Sequence, residues 1–525
     1  MAQYRRFPAP EKTIGARKRS QAIDANKWNR WLLPIAAVLA FSIYHDVLSY
    51  SHLGHDSYPI IKSARVESFG DFLGTFSERL MDGYYDHKGH FYRPLLNASF
   101  ALDYAVWKLN PFGYHLTDLL LLLIAAVLAG SLFARAPDPL VRAGALVAVV
   151  FFLFHPVHLN VVPVAPRRAD MIALVFMLAA LLATRLEGKR GIVLPALFTL
   201  LAAAGKETGA ITPVLLAAWI RAENRGPGTV ARALRTAGLA IVFAAPYFIV
   251  RALVVGGAGG HAEVSIAAVI ENALRIFPEM QRGTFYPYPF LGTLVVPWMA
   301  RIAIIVFVAA GMIAFAVRDP LLRRYFAACT LWFFAAWGIH AFSGSISPWY
   351  ALHTIAPFTL VFALLTIAAV RVALGRGDGH ARDNASARDN ASARDNALVR
   401  GLAGLFAAGL IVLFVCYAKS AEPFARHPQW PFVSERTHQF LADLDEQMAR
   451  ANPGDTFTVY GLPYGAPRQP GTPIFVAAGL SDYTVQAYVD MLYPERKVRA
   501  TFLRPGVPAA ASDEVLILLR VEQKP

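Results

Sequence analysis

The chain has 525 residues, 56% of them hydrophobic and 16% charged, with a mean hydropathy of +0.42. Soluble domains carry about 25% charged residues, so a wholly soluble domain is excluded in favour of a polytopic helical membrane protein. The net charge of +14 then points to basic cytoplasmic loops and anionic lipid head groups, not to nucleic acid. Two cysteines, Cys329 and Cys416, cannot make a disulfide framework or a thiolate metal site.

Residues 1–27 form a polar tail with Arg5, Arg6, Lys12, Arg17, Lys18, Arg19 and Lys27, expected to stay cytoplasmic. The apolar run at 28–48 is too long for a signal peptide and lacks a small-residue cleavage site, so it is read as an uncleaved first helix. Candidate spans fall at 29–47, 115–134, 139–156, 169–186, 191–205, 208–221, 235–254, 293–317, 323–342, 351–373 and 401–418, about eleven helices. The runs at 191–221 are short enough to be either two spans or a re-entrant pair. With the tail inside, the connections at 135–142, 185–190, 221–235, 318–324 and 374–400 are inner and basic, which leaves residues after 418 outside.

The first outer connection, 48–114, is far longer than two helices need and too rich in Phe, Tyr and Leu for disorder. It is read as a folded loop that presents ionisable groups at the membrane surface. Asp56, between His55 and Tyr58, is the candidate general base. Arg93, before Pro94, is set to pair with Asp103. His155 and His158 close the third span. Arg167, Arg168 and Asp170 open the fourth, and the two arginines break the positive-inside pattern by facing outward, as an anionic ligand such as phosphate would require. Lys206 and Glu207 stand between two short apolar runs, where ionisable groups are costly and tend to be functional. The histidine pair lacks an HExxH pattern, so no metal is expected. Phe285–Phe290 and Pro348-Trp349-Tyr350 read as interfacial aromatic belts.

Residues 381–397 repeat Ala-Arg-Asp-Asn-Ala-Ser and read as a flexible cytoplasmic linker within 375–400. Residues 419–525 predict a small extracytoplasmic α/β domain: helices at 433–450 and near 483–493, strands at Thr456–Tyr460, Val498–Leu503 and Val515–Val521.

The motif order is a loop Asp, Arg-Pro-Leu (93–95), Asn-Pro-Phe-Gly-Tyr-His (110–115), His-Pro-Val-His (155–158), Arg-Ala-Asp (168–170) and Lys-Glu (206–207). This order resembles the C-type (GT-C) polytopic glycosyltransferases, particularly the transmembrane O-mannosyltransferases with tetratricopeptide repeats and their bacterial relatives. The likeness covers 29–220 by motif and 221–418 by architecture. The repeats are absent, His55 stands where the family often has a second acid, and Asn160 stands where it often has Glu. The resemblance implies a polyprenyl-phosphate-linked sugar donor, transfer outside the cytoplasm to a glycan, lipid or protein acceptor, and a bacterial inner membrane location. It puts the essential acid on Asp56. Arg167, Arg168 and Lys206 would then bind the lipid phosphate, Arg93 would support the loop or the phosphate, Asp103 or Asp170 would supply any second carboxylate, and no cofactor is expected. Two other classes remain open: a transporter or lipid flippase, which predicts charges at mid-depth and an internal repeat, and a non-catalytic envelope-assembly subunit, which would tolerate loss of Asp56.

Overall fold

The computed structural model describes residues 31–81, 90–134, 139–224, 226–257, 265–286, 297–342, 347–375, 390–421, 429–450, 452, 456–459, 462, 479–496, 499–502 and 520–521. The basic tail, residues 376–389 of the low-complexity segment, 287–290 of the aromatic run and the stretch 503–519, which holds most of the strand expected at 515–521, lie outside them.

The apolar runs fold as helices. In chain order these are α1 (Trp31–Ser49), the short α2 (Ser57–Ser63) and α3 (Phe69–Gly74), α4 (Pro94–Trp107), α5 (Pro111–Ala134), α6 (Pro139–Leu153), α7 (Arg168–Ala183), α8 (Arg190–Gly205) and α9 (Thr212–Glu223). Then come α10 (Thr229–Val255), α11 (Ile266–Phe285), α12 (Pro297–Arg318), α13 (Pro320–Ala341), α14 (Leu352–Ala373), α15 (Asn390–Ser420), α16 (Gln429–Arg450) and α17 (Asp482–Leu492). Prolines at the first turn start α4 and α13, where their missing N–H has no helical partner to lose. The Asp319 carboxylate caps α13 by accepting from the Leu321 N–H at 2.7 Å.

Among the described residues six helices are long and apolar enough to cross a membrane: α1, α5, α10, α12, the segment Pro348–Ala373 that contains α14, and α15 from Ala397. The protein is an integral membrane protein. Its centre is α14, in which every residue from Leu352 to Leu365 is buried; a helix apolar all round belongs inside a bundle. Around it, α10, α12 and α15 turn Leu253, Ile249, Val317, Leu405 and Val412 outward, as a lipid-facing surface requires.

Two helices depart from expectation. The connection at 48–114 contains α4, which buries Leu96, Phe100 and Tyr104. The connection at 255–292 contains α11, which buries Ile276, Met280 and Thr284 and pairs Glu271 with Arg275 and Glu279 with Arg282 on its exposed side. Helix α4 is shorter, and α11 more polar, than a full span, so both escape a search for long apolar windows. Helix α15 begins at Asn390, inside the segment read as a linker.

After α15, α16 buries Val433, Phe440, Leu444 and Met448 along one side. Three short strands form a sheet ordered β2-β1-β3: β1 (Thr456–Val459) runs parallel to β2 (Arg499–Phe502) and antiparallel to β3 (Arg520–Val521). Helices α16 and α17 share a core with the 48–114 connection, Phe440 and Val485 clustering with Tyr58, Leu96 and Phe100.

Candidate active site

Asp56 stands at the N-terminal edge of α2, reached through a turn at Gly54. Gly54 has φ +103°, and an added Cβ would lie 2.5 Å from Val164 Cγ1, so only glycine fits this turn. The half-buried Asp56 accepts a hydrogen bond from the Tyr483 hydroxyl at 2.6 Å. The Thr484 hydroxyl donates to the neighbouring His55 carbonyl.

Across from this loop, the start of α7 divides its charges between two networks. Arg168 is fully buried. It donates to Asp103 and Asp118 at 2.6 Å each, to the Tyr114 carbonyl at 2.8 Å and to the Ser99 hydroxyl at 3.2 Å. Thr117 closes the network by donating to Asp103 at 2.7 Å. With four of its five N–H donors engaged and two carboxylates against it, this guanidinium ties α4, α5 and α7 together, and its charge is already neutralised within the core.

Arg167 is different. It is 7% exposed. It donates to the Asn160 carbonyl at 2.5 Å and lies 3.8 Å over the Trp349 ring. No carboxylate among the described residues bridges it. Burial pushes its guanidinium down to about 9, a fall partly offset by the charges of Asp56 and Asp170. A buried cation held by a carbonyl and a ring is short of negative charge.

Next to it, Lys206 donates to both oxygens of Asp170 at 2.6 and 2.7 Å and sits 4.8 Å over the Tyr350 ring. His353 Nε2 lies 3.2 Å from Asp170 and 3.1 Å from the Thr208 hydroxyl. His340 stacks on Tyr350 with centroids 4.1 Å apart. Trp349 and Tyr350 thus form one aromatic step with Arg167 on the first ring and Lys206 on the second.

Glu207 points away from Lys206. It pairs with Arg93 at 3.2 Å, with Arg251 3.8 Å off. Burial alone would raise its carboxyl, but Arg93 and Arg251 outweigh that and hold it below the usual carboxylate range. The expected Arg93–Asp103 pair does not form. Ten residues of helix separate them by about 15 Å, and each finds a partner on another helix.

His155 and His158 are core residues. His155 Nε2 donates to the Thr284 carbonyl at 3.1 Å while Nδ1 accepts from the Val157 N–H, and His158 donates to the Phe152 carbonyl at 2.8 Å. They turn the chain at the end of α6, and both are fully buried. Among the described residues no group of three or more His, Cys, Asp or Glu is placed to hold a metal.

The structure therefore brings together Asp56, Arg167, Asp170 and Lys206, and separates Arg168, Asp103, Arg93 and Glu207 into supporting pairs. Sequence reasoning missed His353, His340 and Tyr483. A lone histidine inside the apolar run 351–373 was the available signal for the first; Tyr483 gave none.

No family model matches the chain. Part of it is 38% identical over 158 residues to the protein O-mannosyl-transferase TMTC2 of Mus musculus, covering 28% of this chain and 18% of that protein. Another match is Tmtc1 of Drosophila melanogaster, 33% identical over 192 residues, 34% of this chain and 21% of that one. The chain is similar to the protein O-mannosyl-transferases. The resemblance read from the motifs stands on these matches, although the matched part spans only about a fifth of either relative's length. Among solved structures, ArnT from Cupriavidus metallidurans bound to undecaprenyl phosphate is 15% identical, covers 90% of both chains and has a TM-score of 0.45. The Archaeoglobus fulgidus oligosaccharyltransferase tethered with an acceptor peptide is 12% identical, covers 90% of this chain and 63% of that one, with a TM-score of 0.42.

Proposed function

We propose that this chain is an inverting GT-C-type glycosyltransferase that moves a sugar from a polyprenyl-phosphate donor to an acceptor hydroxyl outside the cytoplasm. The architecture that goes with it is eleven spans and an outward C-terminal α/β domain. The observation that carries the proposal is Arg167: a buried cation with no carboxylate partner among the described residues, between Asp56 and the Asp170–Lys206 pair. A lipid phosphate supplies the missing charge. The resemblance to protein O-mannosyl-transferases suggests a mannosyl donor.

In this mechanism Asp56 takes the proton of the acceptor hydroxyl. The acceptor oxygen bonds to the anomeric carbon as the bond from that carbon to the phosphate oxygen breaks. The electron pair leaves on the polyprenyl phosphate, where Arg167 and Lys206 stabilise the developing charge. Asp170 and His353 hold Lys206 in place. Arg168 supports the fold and binds no donor.

The test uses membranes containing the protein and radiolabelled polyprenyl-phosphate mannose, following label that leaves the lipid phase. Asp56→Asn is expected to lower transfer by roughly 10²–10⁴-fold at unchanged protein abundance, with donor binding retained. Near-normal turnover at matched protein levels would refute Asp56 as the base.

A further inference from the structure

The side chain nearest the reacting carboxylate comes from the far end of the chain. Tyr483, in the first turn of α17, donates to Asp56 Oδ1 at 2.6 Å across 427 residues of sequence. The contact is built in. Lys62 of α2 bridges Asp490 of α17 at 2.8 Å, and Tyr58 packs edge-on against Tyr488 with centroids 4.9 Å apart. The Thr484 hydroxyl holds the His55 carbonyl. Tyr488 in turn donates to Asp445 of α16 at 2.8 Å, and the Ser51 N–H donates to the Ser434 hydroxyl at 2.9 Å. The loop carrying Asp56 is therefore clamped by the C-terminal helices from Ser51 to Lys62.

We infer that Tyr483 is a positioning residue for the general base, occupying Oδ1 of Asp56 so that Oδ2 is the oxygen that receives the acceptor's proton. The inference rests on Asp56 being the base. A carboxylate free to spin offers either oxygen in many orientations. With Oδ1 held by a phenol on a docked helix, the plane of the carboxylate is fixed and Oδ2 is turned toward the acceptor, and proton transfer depends on that geometry. Catalysis then needs the C-terminal segment even though no atom of Tyr483 meets the substrate.

The experiment uses the whole chain in membranes with radiolabelled polyprenyl-phosphate mannose, and compares four variants with the wild type, rates taken per mole of protein in the membrane. Tyr483→Phe keeps the ring and loses the donor. It is expected to lower kcat roughly tenfold and leave the donor KM unchanged. Replacement of Tyr483 by 3-fluorotyrosine keeps both ring and donor and should hold kcat within about twofold of wild type. Asp490→Asn weakens the α2–α17 bridge but leaves the Tyr483 hydroxyl on Asp56, and should keep kcat near wild type. Wild-type kcat in Tyr483→Phe, with Asp56→Asn inactive, would overturn the inference and leave the base assignment standing. Activity in Asp56→Asn would overturn the base assignment itself.

Discussion

Arg167 and Arg168 are neighbours in the chain with opposite surroundings, and the sequence alone groups them. Both break the charge rule for outer connections, so both read as phosphate ligands. Only the tertiary structure distinguishes the one enclosed by Asp103 and Asp118 from the one against Trp349. Their substitutions should therefore fail differently. Arg168→Ala leaves two buried carboxylates facing each other without a cation, a loss of about 3–5 kcal/mol for breaking a buried pair. The expected outcome is little protein in the membrane, and Lys should not rescue it, because one ammonium cannot replace four directed contacts. Arg167→Ala removes no salt bridge among the described residues. Protein abundance should hold while the donor KM rises. Quantitative blotting beside donor titration separates the two, and a normal amount of Arg168→Ala protein with a raised KM would reverse the assignment.

At the scale of elements, apolar periodicity locates the long helices because the bilayer demands an uninterrupted run of side chains. The same criterion passes over α4 and α11, whose burial is one-sided. It also leaves 191–221 ambiguous, since α8 and α9 are short and a turn of 3-10 helix at Glu207–Ile211 joins them. That turn aims Lys206 at Asp170 and Glu207 at Arg93, and it is held against α8 at Gly209. An added Cβ there would lie 2.3 Å from the Ala202 carbonyl carbon and the Ala203 nitrogen. Backbone cannot move aside as a flexible side chain can. Gly209→Ala is expected to push the turn off α8, destabilising by about 1–3 kcal/mol, the usual range for overpacking, and to impair donor use. Thermal unfolding in detergent checks the first effect; an unchanged midpoint would mean that the turn is not pinned by this contact.

At the scale of the molecule, the pairing of distant segments was the part least legible in the sequence. Helix α17 has an ordinary amphipathic pattern, and nothing in it indicates that its first turn rests on Asp56. Once known, that contact constrains the topology independently of charge. Asp56 follows α1, and Tyr483 follows α15. Since they touch, the chain must cross the membrane an even number of times between them. The five long apolar helices after α1 (α5, α10, α12, the one containing α14, and α15) give an odd number. An odd number of the remaining helices α6, α7, α8, α9 and α13 must therefore also cross. All five crossing gives ten, which agrees with the alternation of basic inner connections. A reporter fused after Ser420 is then expected outside the cytoplasm, on the side of a tag placed between α1 and α5, and one within 381–397 is expected inside. Accessibility labelling in intact cells measures both. Labelling that puts the tag and the Ser420 fusion on opposite sides would break the Asp56–Tyr483 contact, and the placement of Asp56 at the outer face would fall if both proved cytoplasmic.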